Sequence, residues 1–161
     1  MKEYKIHPKT SIGHIHLTVS DLEKSLRFYS EILGFEVTQK MHGAVFLSAG
    51  GYHHHIGLNT WSGTNAQKPQ DGQIGLYHFA ILCPNRKELA KILKRLMESG
   101  YQIDGASDHG VSESIYLRDP DGNGIELYAD RQKGRWPKEK NGSIQMKIEQ
   151  LDIESLLKLA K

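Results

Sequence analysis

Histidine is the residue type whose number and placement could carry chemistry in this sequence. Nine of the 161 residues are histidine. Two of them, His14 and His78, stand near the start of two stretches of chain that resemble each other. Neutral imidazole is the commonest protein ligand for metals near pH 7. Together with the carboxylate of Glu126, these two imidazoles would match the donor set of a non-haem Fe(II) site that keeps coordination positions open.

The elements that would position these residues follow a repeated order of one strand, one helix and three strands. The strands are predicted at 12–19, 35–40, 44–49 and 52–58, and again at 74–83, 101–105, 113–118 and 124–129. Helical spacing of apolar residues follows the first strand of each set, at 22–33 and at 86–99. Because His14 and His78 both belong to the first strand of their set, they occupy equivalent positions in two βαβββ modules.

This pattern predicts an α+β fold in which tandem βαβββ modules form a cupped mixed β-sheet with helices on the outer face. A single domain is predicted at 12–131, with module 1 at 12–58, module 2 at 74–131 and a polar loop at 59–73 between them. Residues 1–11 form a polar N-terminal lead-in. Residues 132–161 form a C-terminal tail with a short helix.

Strand alternation predicts which side chains lie on the concave sheet face, which we call the open face because it is turned away from the helices. The open face is predicted to carry His14, His55, His78, Tyr116 and Glu126. His54 is predicted on the opposite face, and His7 and His42 in the tail and a turn. Alternation places His16 on the face of His14 and His53 on the face of His55, but it leaves undecided whether either has a functional role. A carboxylate on such a face needs a partner, and a metal ion would supply one.

Composition excludes several other classes of protein. The net charge of +2 gives no electrostatic reason to expect nucleic-acid binding. Apolar runs are too short to cross a bilayer, and we find no signal peptide, so no membrane partner is expected. The lone cysteine, Cys83, excludes a disulfide framework and a cysteine-rich zinc site. A cytoplasmic location is therefore expected.

Four segments of the chain resemble the glyoxalase/bleomycin-resistance/dioxygenase family, also called the vicinal oxygen chelate superfamily. They are HIHLTVSDLEKSLRFYSEILGF at 14–35, HHHIGLNTW at 53–61, YHFAI at 77–81 and IYLRDPDGNGIELYADR at 115–131. These segments extend over most of 12–131, and their combination is highly specific for the superfamily. The resemblance is greatest to one half of the two-domain chains of the catechol 2,3-dioxygenase type.

The resemblance implies a metal site and a set of residues around it. In the dioxygenase subgroup, Fe(II) is bound by residues that correspond to His14, His78 and Glu126. A histidine at the place of His55 acts in proton transfer, and a tyrosine at the place of Tyr116 donates a hydrogen bond to a substrate oxygen. His109 corresponds to a histidine that contacts the substrate. The implied reaction is ring cleavage of a catechol-like aromatic diol by O2.

Two alternative functions remain open at this point. Isomerases and lyases of the superfamily use Ni(II) or Zn(II) with four ligands, and His55 would then be the fourth. They usually have glutamate there, which counts against this reading. The other alternative is a non-catalytic protein that binds a small molecule, such as a drug, in the cup. Mn(II) is a further candidate metal for the dioxygenase. The resemblance also implies a homodimer, the usual arrangement of short chains in this family.

Overall fold

The computed structural model describes residues 3–63, 66–68, 70 and 72–161. It has an α+β fold with two mixed β-sheets of four and five strands and a few helices, which confirms the predicted fold class. The N-terminal module contains β1 Ile15–Thr18, α1 Leu22–Leu26 with a π-helical continuation Arg27–Ile32, β2 Glu36–Met41, β3 Ala44–Ser48 and β4 Ile56–Asn59. The C-terminal module contains β5 Phe79–Cys83, α2 Arg86–Glu98, β6 Ile103–Asp108, β7 Ser112–Arg118 and β8 Gly124–Asp130. A 3₁₀ turn Lys133–Arg135, β9 Glu149–Gln150 and α3 Ile153–Leu157 follow.

The two modules share one topology, as the internal repeat predicts. The strand order is β1-β4-β3-β2 in the first sheet and β5-β8-β7-β6-β9 in the second. In each module the first strand pairs in parallel with the last, and the remaining neighbours are antiparallel. The side chain of Asp21 caps α1 by accepting from the Lys24 N–H, and Asn85 caps α2 through the Glu88 N–H.

The core lies between each sheet and its helix. On α2, Leu89, Leu93 and Leu96 are fully buried, in agreement with the predicted helical spacing. They face the inward residues of β7 and β8, which are Ile115, Leu117, Ile125 and Leu127. Burial alternates along β8, so Glu126 and Tyr128 lie on the face away from the helix. The alternation that predicts the open face of the C-terminal module is therefore present in the structure.

Contacts between the modules run through the π-helical turn. The hydroxyl of Tyr29 donates to Asp119 Oδ2 at 2.9 Å, and both side chains are buried. Burial, together with the carboxylate of Asp119, raises the pKa of Tyr29 well above its ordinary value. The rings of Phe28 and Tyr101 also meet, with centroids 4.7 Å apart. These buried contacts hold the modules against each other on their helical side.

The structure differs from the predicted elements in four places. Strand β1 begins at Ile15 rather than at residue 12, and β5 begins at Phe79 rather than at residue 74, so His14 and His78 each immediately precede the strand to which they were assigned. Strand β4 begins at Ile56 rather than at residue 52, because only Ile56–Asn59 pair with β1. The tail also contributes a strand that was not predicted: β9 extends the second sheet by pairing antiparallel with β6. The predicted short helix is present as α3, which packs its buried Leu156 toward α2.

Parts of two predicted segments lie outside the described residues, namely residues 1 and 2 of the lead-in and residues 64, 65, 69 and 71 of the loop. The domain boundaries remain predictions. Among the helices that the structure describes, none combines the length and hydrophobicity that a membrane span requires.

Candidate metal and substrate site

The best-defined feature of the open face is a pair formed by His78 and Glu126. His78 immediately precedes β5, and Glu126 lies on β8, which pairs with β5 in parallel. The Nε2 atom of His78 lies 3.0 Å from Glu126 Oε2, and the two side chains are 30% and 15% exposed. The donor atoms are therefore within reach of solvent but mostly enclosed by protein.

These two donor groups fit a divalent transition metal. Imidazole nitrogen and carboxylate oxygen bind such ions at about 2.0–2.2 Å, so adjacent ligands at a right angle lie roughly 3 Å apart. The separation between His78 Nε2 and Glu126 Oε2 matches that spacing. His78 Nδ1 is buried and has no hydrogen-bond partner among the described residues. The nitrogen directed at Glu126 is therefore Nε2.

A close backbone contact at Gly124 brings the two donors together. A Cβ atom at this position would lie 2.2 Å from the Tyr77 carbonyl oxygen and 3.1 Å from the Cβ of His78. Only glycine therefore lets the start of β8 approach the residues that lead into β5. Because Glu126 is two residues further along the same strand, this approach sets the distance between its carboxylate and His78.

Tyr116 and His109 extend the pair into a chain of hydrogen-bonding groups. Tyr116 lies directly opposite Glu126 in the antiparallel register of β7 and β8, and its hydroxyl is 3.2 Å from Glu126 Oε1. His109 Nε2 approaches the same hydroxyl at 2.6 Å, and His109 Nδ1 lies 2.9 Å from the Lys147 carbonyl oxygen. Burial raises the pKa of Tyr116, and the Glu126 carboxylate raises it further, so the phenol is kept protonated.

His14 lies apart from this group, immediately before β1 in the N-terminal module. It is exposed, and its ring packs against His54 with centroids 4.4 Å apart. Among the residues described by the structure, no three side chains of the types His, Cys, Asp and Glu are arranged to hold one metal ion. The structure therefore brings together two of the three predicted ligands, His78 and Glu126, and does not bring His14 to them.

His54 is placed differently from the strand-alternation prediction. Its ring contacts Phe46 at 5.1 Å between centroids, in addition to His14, so it shares the open face with them rather than lying opposite. The physical reason is that His54 precedes β4, where no ladder enforces alternation. Partial burial and the nearby His14 ring lower the pKa of His54.

The Nδ1 atom of His55 is held by a backbone N–H and by a serine hydroxyl. Its Nδ1 accepts from the Ala49 N–H at 3.3 Å and lies 3.1 Å from Ser48 Oγ. Because Nδ1 is an acceptor, the neutral ring carries its proton on Nε2. The predicted proton-transfer residue therefore has one nitrogen anchored and the other available. In the structure its ring packs against Tyr52, with centroids 4.8 Å apart.

The sequence analysis missed the backbone contact from the tail to His109. A signal for it was present, since Ile144, Met146 and Ile148 alternate with polar residues, which is typical of an extended segment.

The repeated βαβββ topology defines a class of proteins that are built from paired modules of this kind. A model of the Glyoxalase/Bleomycin resistance protein/Dioxygenase superfamily matches residues 11–127. The chain belongs to this superfamily, whose members are mostly metal-dependent enzymes. The resemblance inferred from the sequence is thereby confirmed.

Individual relatives carry different activities. A catechol-2,3-dioxygenase of Bacillus subtilis (strain 168) is 45% identical over 155 residues, which are 96% of this chain and 54% of that protein. A manganese-dependent 2,3-dihydroxybiphenyl 1,2-dioxygenase of Geobacillus genomosp. 3 is 26% identical over 139 residues, 84% of this chain and 42% of that protein. The chain thus spans about half the length of these curated relatives.

A solved structure with the same fold is named as a lyase rather than as a dioxygenase. The lactoylglutathione lyase of Agrobacterium tumefaciens superposes with a TM-score of 0.58 at 25% identity, over 76% of this chain and 96% of that one. The superfamily therefore includes both dioxygenases and lyases, so membership alone does not define the reaction.

Proposed function

We propose that this protein is a metal-dependent extradiol-type dioxygenase that cleaves the ring of a catechol-like aromatic diol with O2. The observation that carries the proposal is the His78–Glu126 pair with Tyr116 directly beside it. The 45% identity to a catechol-2,3-dioxygenase over nearly the whole chain supports this reaction over others of the superfamily. Fe(II) is the proposed metal, with Mn(II) as the nearest alternative because one relative is named for it.

His78 and Glu126 would hold the metal, and we propose His14 as the third ligand. His14 lies on the N-terminal module, away from His78 and Glu126 of the same chain. A histidine that completes the site must therefore come from a second copy of the chain. A homodimer would allow His14 of one copy to approach the pair of another. Ile12 and Tyr77, which lie close to these two histidines in sequence, are 97% and 86% exposed and would gain cover from a second copy.

A bound metal would supply two functions. It would bind the diol oxygens and O2 next to each other, and it would allow electron transfer from the diol to O2. The protein groups then act on protons and orientation. His55, anchored through Nδ1, would move a proton at Nε2, since histidine is the side chain that changes charge nearest to neutral pH. Tyr116 would bind a substrate oxygen, and His109 would orient Tyr116 or the substrate through its Nε2 atom.

The test of this function is anaerobic loading with Fe(II) followed by addition of catechol and O2. We expect O2 consumption together with a ring-opened product that forms at the same rate. Loading with Zn(II) is the matched control and should give no O2 uptake. Fe(II) binding without O2 uptake across a panel of substituted catechols would overturn the proposal.

The second candidate function is a metal-dependent isomerase or lyase, which the structural likeness to a lactoylglutathione lyase favours. In that function the metal would be Ni(II) or Zn(II), and His55 would bind it as a fourth ligand. Elemental analysis of protein purified without chelator or metal resin, combined with the O2 measurement, separates the two functions.

As part of the same proposal we place the protein in the cytoplasm, where its buried free thiol, Cys83, would stay reduced.

A further inference from the structure

We propose that residues 136–150, here called the clasp, position His109 and through it set the direction of the Tyr116 hydroxyl. This inference rests on the proposed function only in treating Tyr116 and Glu126 as site residues. It assigns a role to the C-terminal tail, which otherwise reads as a polar extension of the domain.

The clasp is built onto the loop that carries His109. It begins where the Trp136 indole N–H donates to the Arg131 carbonyl at 2.8 Å, and it folds back on itself where the Gln145 N–H donates to the Pro137 carbonyl at 2.9 Å. The Lys147 N–H then donates to the His109 carbonyl at 3.2 Å. Strand β9 ends the clasp by pairing with β6, the strand that leads into the loop.

Gly110 shows how closely the clasp and the loop approach each other. Its φ of +74° lies in the left-handed region that favours glycine. A Cβ atom there would lie 2.9 Å from Pro137 Cγ and 3.3 Å from Lys147 Cε. Any larger residue at this position must therefore push the clasp away from the loop that carries His109.

The contact between the clasp and His109 determines a tautomer. A backbone carbonyl can only accept, so the His109 Nδ1 that lies 2.9 Å from the Lys147 oxygen must carry a hydrogen. In the neutral ring Nε2 is then an acceptor. The single hydrogen of the Tyr116 hydroxyl is consequently directed to His109 Nε2 at 2.6 Å, rather than to Glu126 Oε1 at 3.2 Å.

This direction has two consequences for the site. Glu126 Oε1 keeps its lone pairs available, and the Tyr116 oxygen is free to accept a hydrogen bond from a substrate hydroxyl. Without the Lys147 carbonyl, the other tautomer would be allowed, in which Nε2–H donates to Tyr116 and the phenol donates to Glu126. The clasp therefore selects between two hydrogen-bond directions at the site, and His109 is a positioning residue.

The experiment is ¹⁵N NMR of the imidazole nitrogens in full-length, metal-free protein labelled at histidine, at a pH where the His109 ring is neutral. The His109 signals are assigned by their absence in His109→Gln. We expect the wild-type ring to carry its hydrogen on Nδ1 with Nε2 unprotonated. A wild-type His109 with the hydrogen on Nε2 would overturn the proposal without any variant.

Gly110→Ala tests whether the clasp causes this state. We expect a mixed or reversed His109 tautomer, with kcat of the Fe(II)-loaded protein lowered about 10-fold or more, as when a group that orients a site residue is removed. Gly63→Ala is the matched control, because Gly63 has a φ of +89° and nothing among the described residues within 4 Å of its added Cβ. An unchanged tautomer in folded Gly110→Ala would contradict the proposal. If the dioxygenase function alone is wrong, the wild-type tautomer persists while O2 uptake is absent.

Discussion

At Glu126, one carboxylate faces an imidazole on one side and a phenol on the other. Oε2 lies against His78 and Oε1 against Tyr116, on a strand whose alternate residues are buried in the core. An unpaired carboxylate in this partly buried place would be unfavourable. A metal ion held between Glu126 and His78 would neutralise the charge of the carboxylate. The charge of Glu126 is thus the property on which metal binding should depend most.

Glu126→Gln is expected to weaken Fe(II) binding by about 100-fold or more, because it removes a ligand charge and keeps the side-chain shape. The melting temperature should change by only a few degrees, since the core residues Ile125 and Leu127 are untouched. Anaerobic Fe(II) titration and thermal unfolding measure the two effects. Glu98→Gln, on the exposed end of α2, is the control. A collapse of stability with unchanged metal content would show Glu126 to be structural.

His55→Ala separates the dioxygenase from the isomerase at the scale of one residue. If His55 transfers a proton, the variant should keep one metal per chain, and turnover should fall by roughly 10²–10⁴, the usual contribution of general acid–base catalysis. If His55 is a fourth ligand, metal affinity should fall instead. Fe(II) titration beside O2 uptake distinguishes the outcomes, with His7→Ala in the exposed lead-in as control. We expect the first result, because Nδ1 accepts from the Ala49 N–H, so in the neutral ring Nε2 carries the hydrogen and has no lone pair free to bind a metal.

At the scale of elements, the approach of β8 to the residues before β5 decides whether the two donors meet. Parallel pairing of these strands begins at Phe79 and Ile125, directly beside the contact of Gly124 with Tyr77. In the N-terminal module, Gly57 on β4 instead leaves room for a side chain, since an added Cβ would lie 2.9 Å from the imidazole ring of His16. Glycine thus allows a close backbone approach in the C-terminal module and accommodates a histidine ring in the N-terminal module.

Gly124→Ala is expected to lower the free energy of unfolding by about 1–3 kcal/mol, the usual effect of forcing an extra group into a packed place. It should also weaken Fe(II) binding, because the strand start must move and separate His78 from Glu126. Urea unfolding and Fe(II) titration measure both effects. Gly105→Ala in β6 is the matched control, since its Cβ would meet nothing among the described residues within 4 Å. Equal behaviour of the two variants would contradict the role given to Gly124.

At the scale of the whole molecule, the two modules contact each other on the side of their helices. The buried hydrogen bond from Tyr29 to Asp119 and the ring contact of Phe28 with Tyr101 lie on that side. The open faces with His14 and with His78 are left to meet other partners. This arrangement is the reason for proposing that a second copy completes the metal site.

Mixing two inactive variants tests this assembly. His14→Ala and Glu126→Gln should each bind little Fe(II) alone. After exchange of subunits at equal concentration, about a quarter of the wild-type sites should return, because half of the dimers are mixed and each mixed dimer has one intact site. Metal content and the mass of the species by light scattering check the result. No recovery despite demonstrated subunit exchange would mean that His14 does not act across copies.

The sequence alone determined the fold class, the repeat, and the open face of the C-terminal module. Alternation along β7 and β8 was enough to place Tyr116 and Glu126 on the same face, because strand geometry alternates side chains wherever a ladder is intact. The register in the structure then sets the two residues opposite each other. The helix starts predicted at residues 22 and 86 also agree with the structure, in which the side chains of Asp21 and Asn85 cap the two helices. The predicted ligand set with His14 and the role of His55 stay predictions.

Only the tertiary structure decided where His14, His54 and His109 lie relative to the His78–Glu126 pair. Alternation states which face a side chain takes, but it carries no information on which other sheet or segment that face meets. His54 precedes its strand, so packing against His14 and Phe46 determined its position. The clasp reaches His109 through a backbone carbonyl 38 residues away, at Lys147. Every residue has a backbone carbonyl, so no residue type in the sequence indicates which carbonyl accepts from His109. Long-range packing alone determines it.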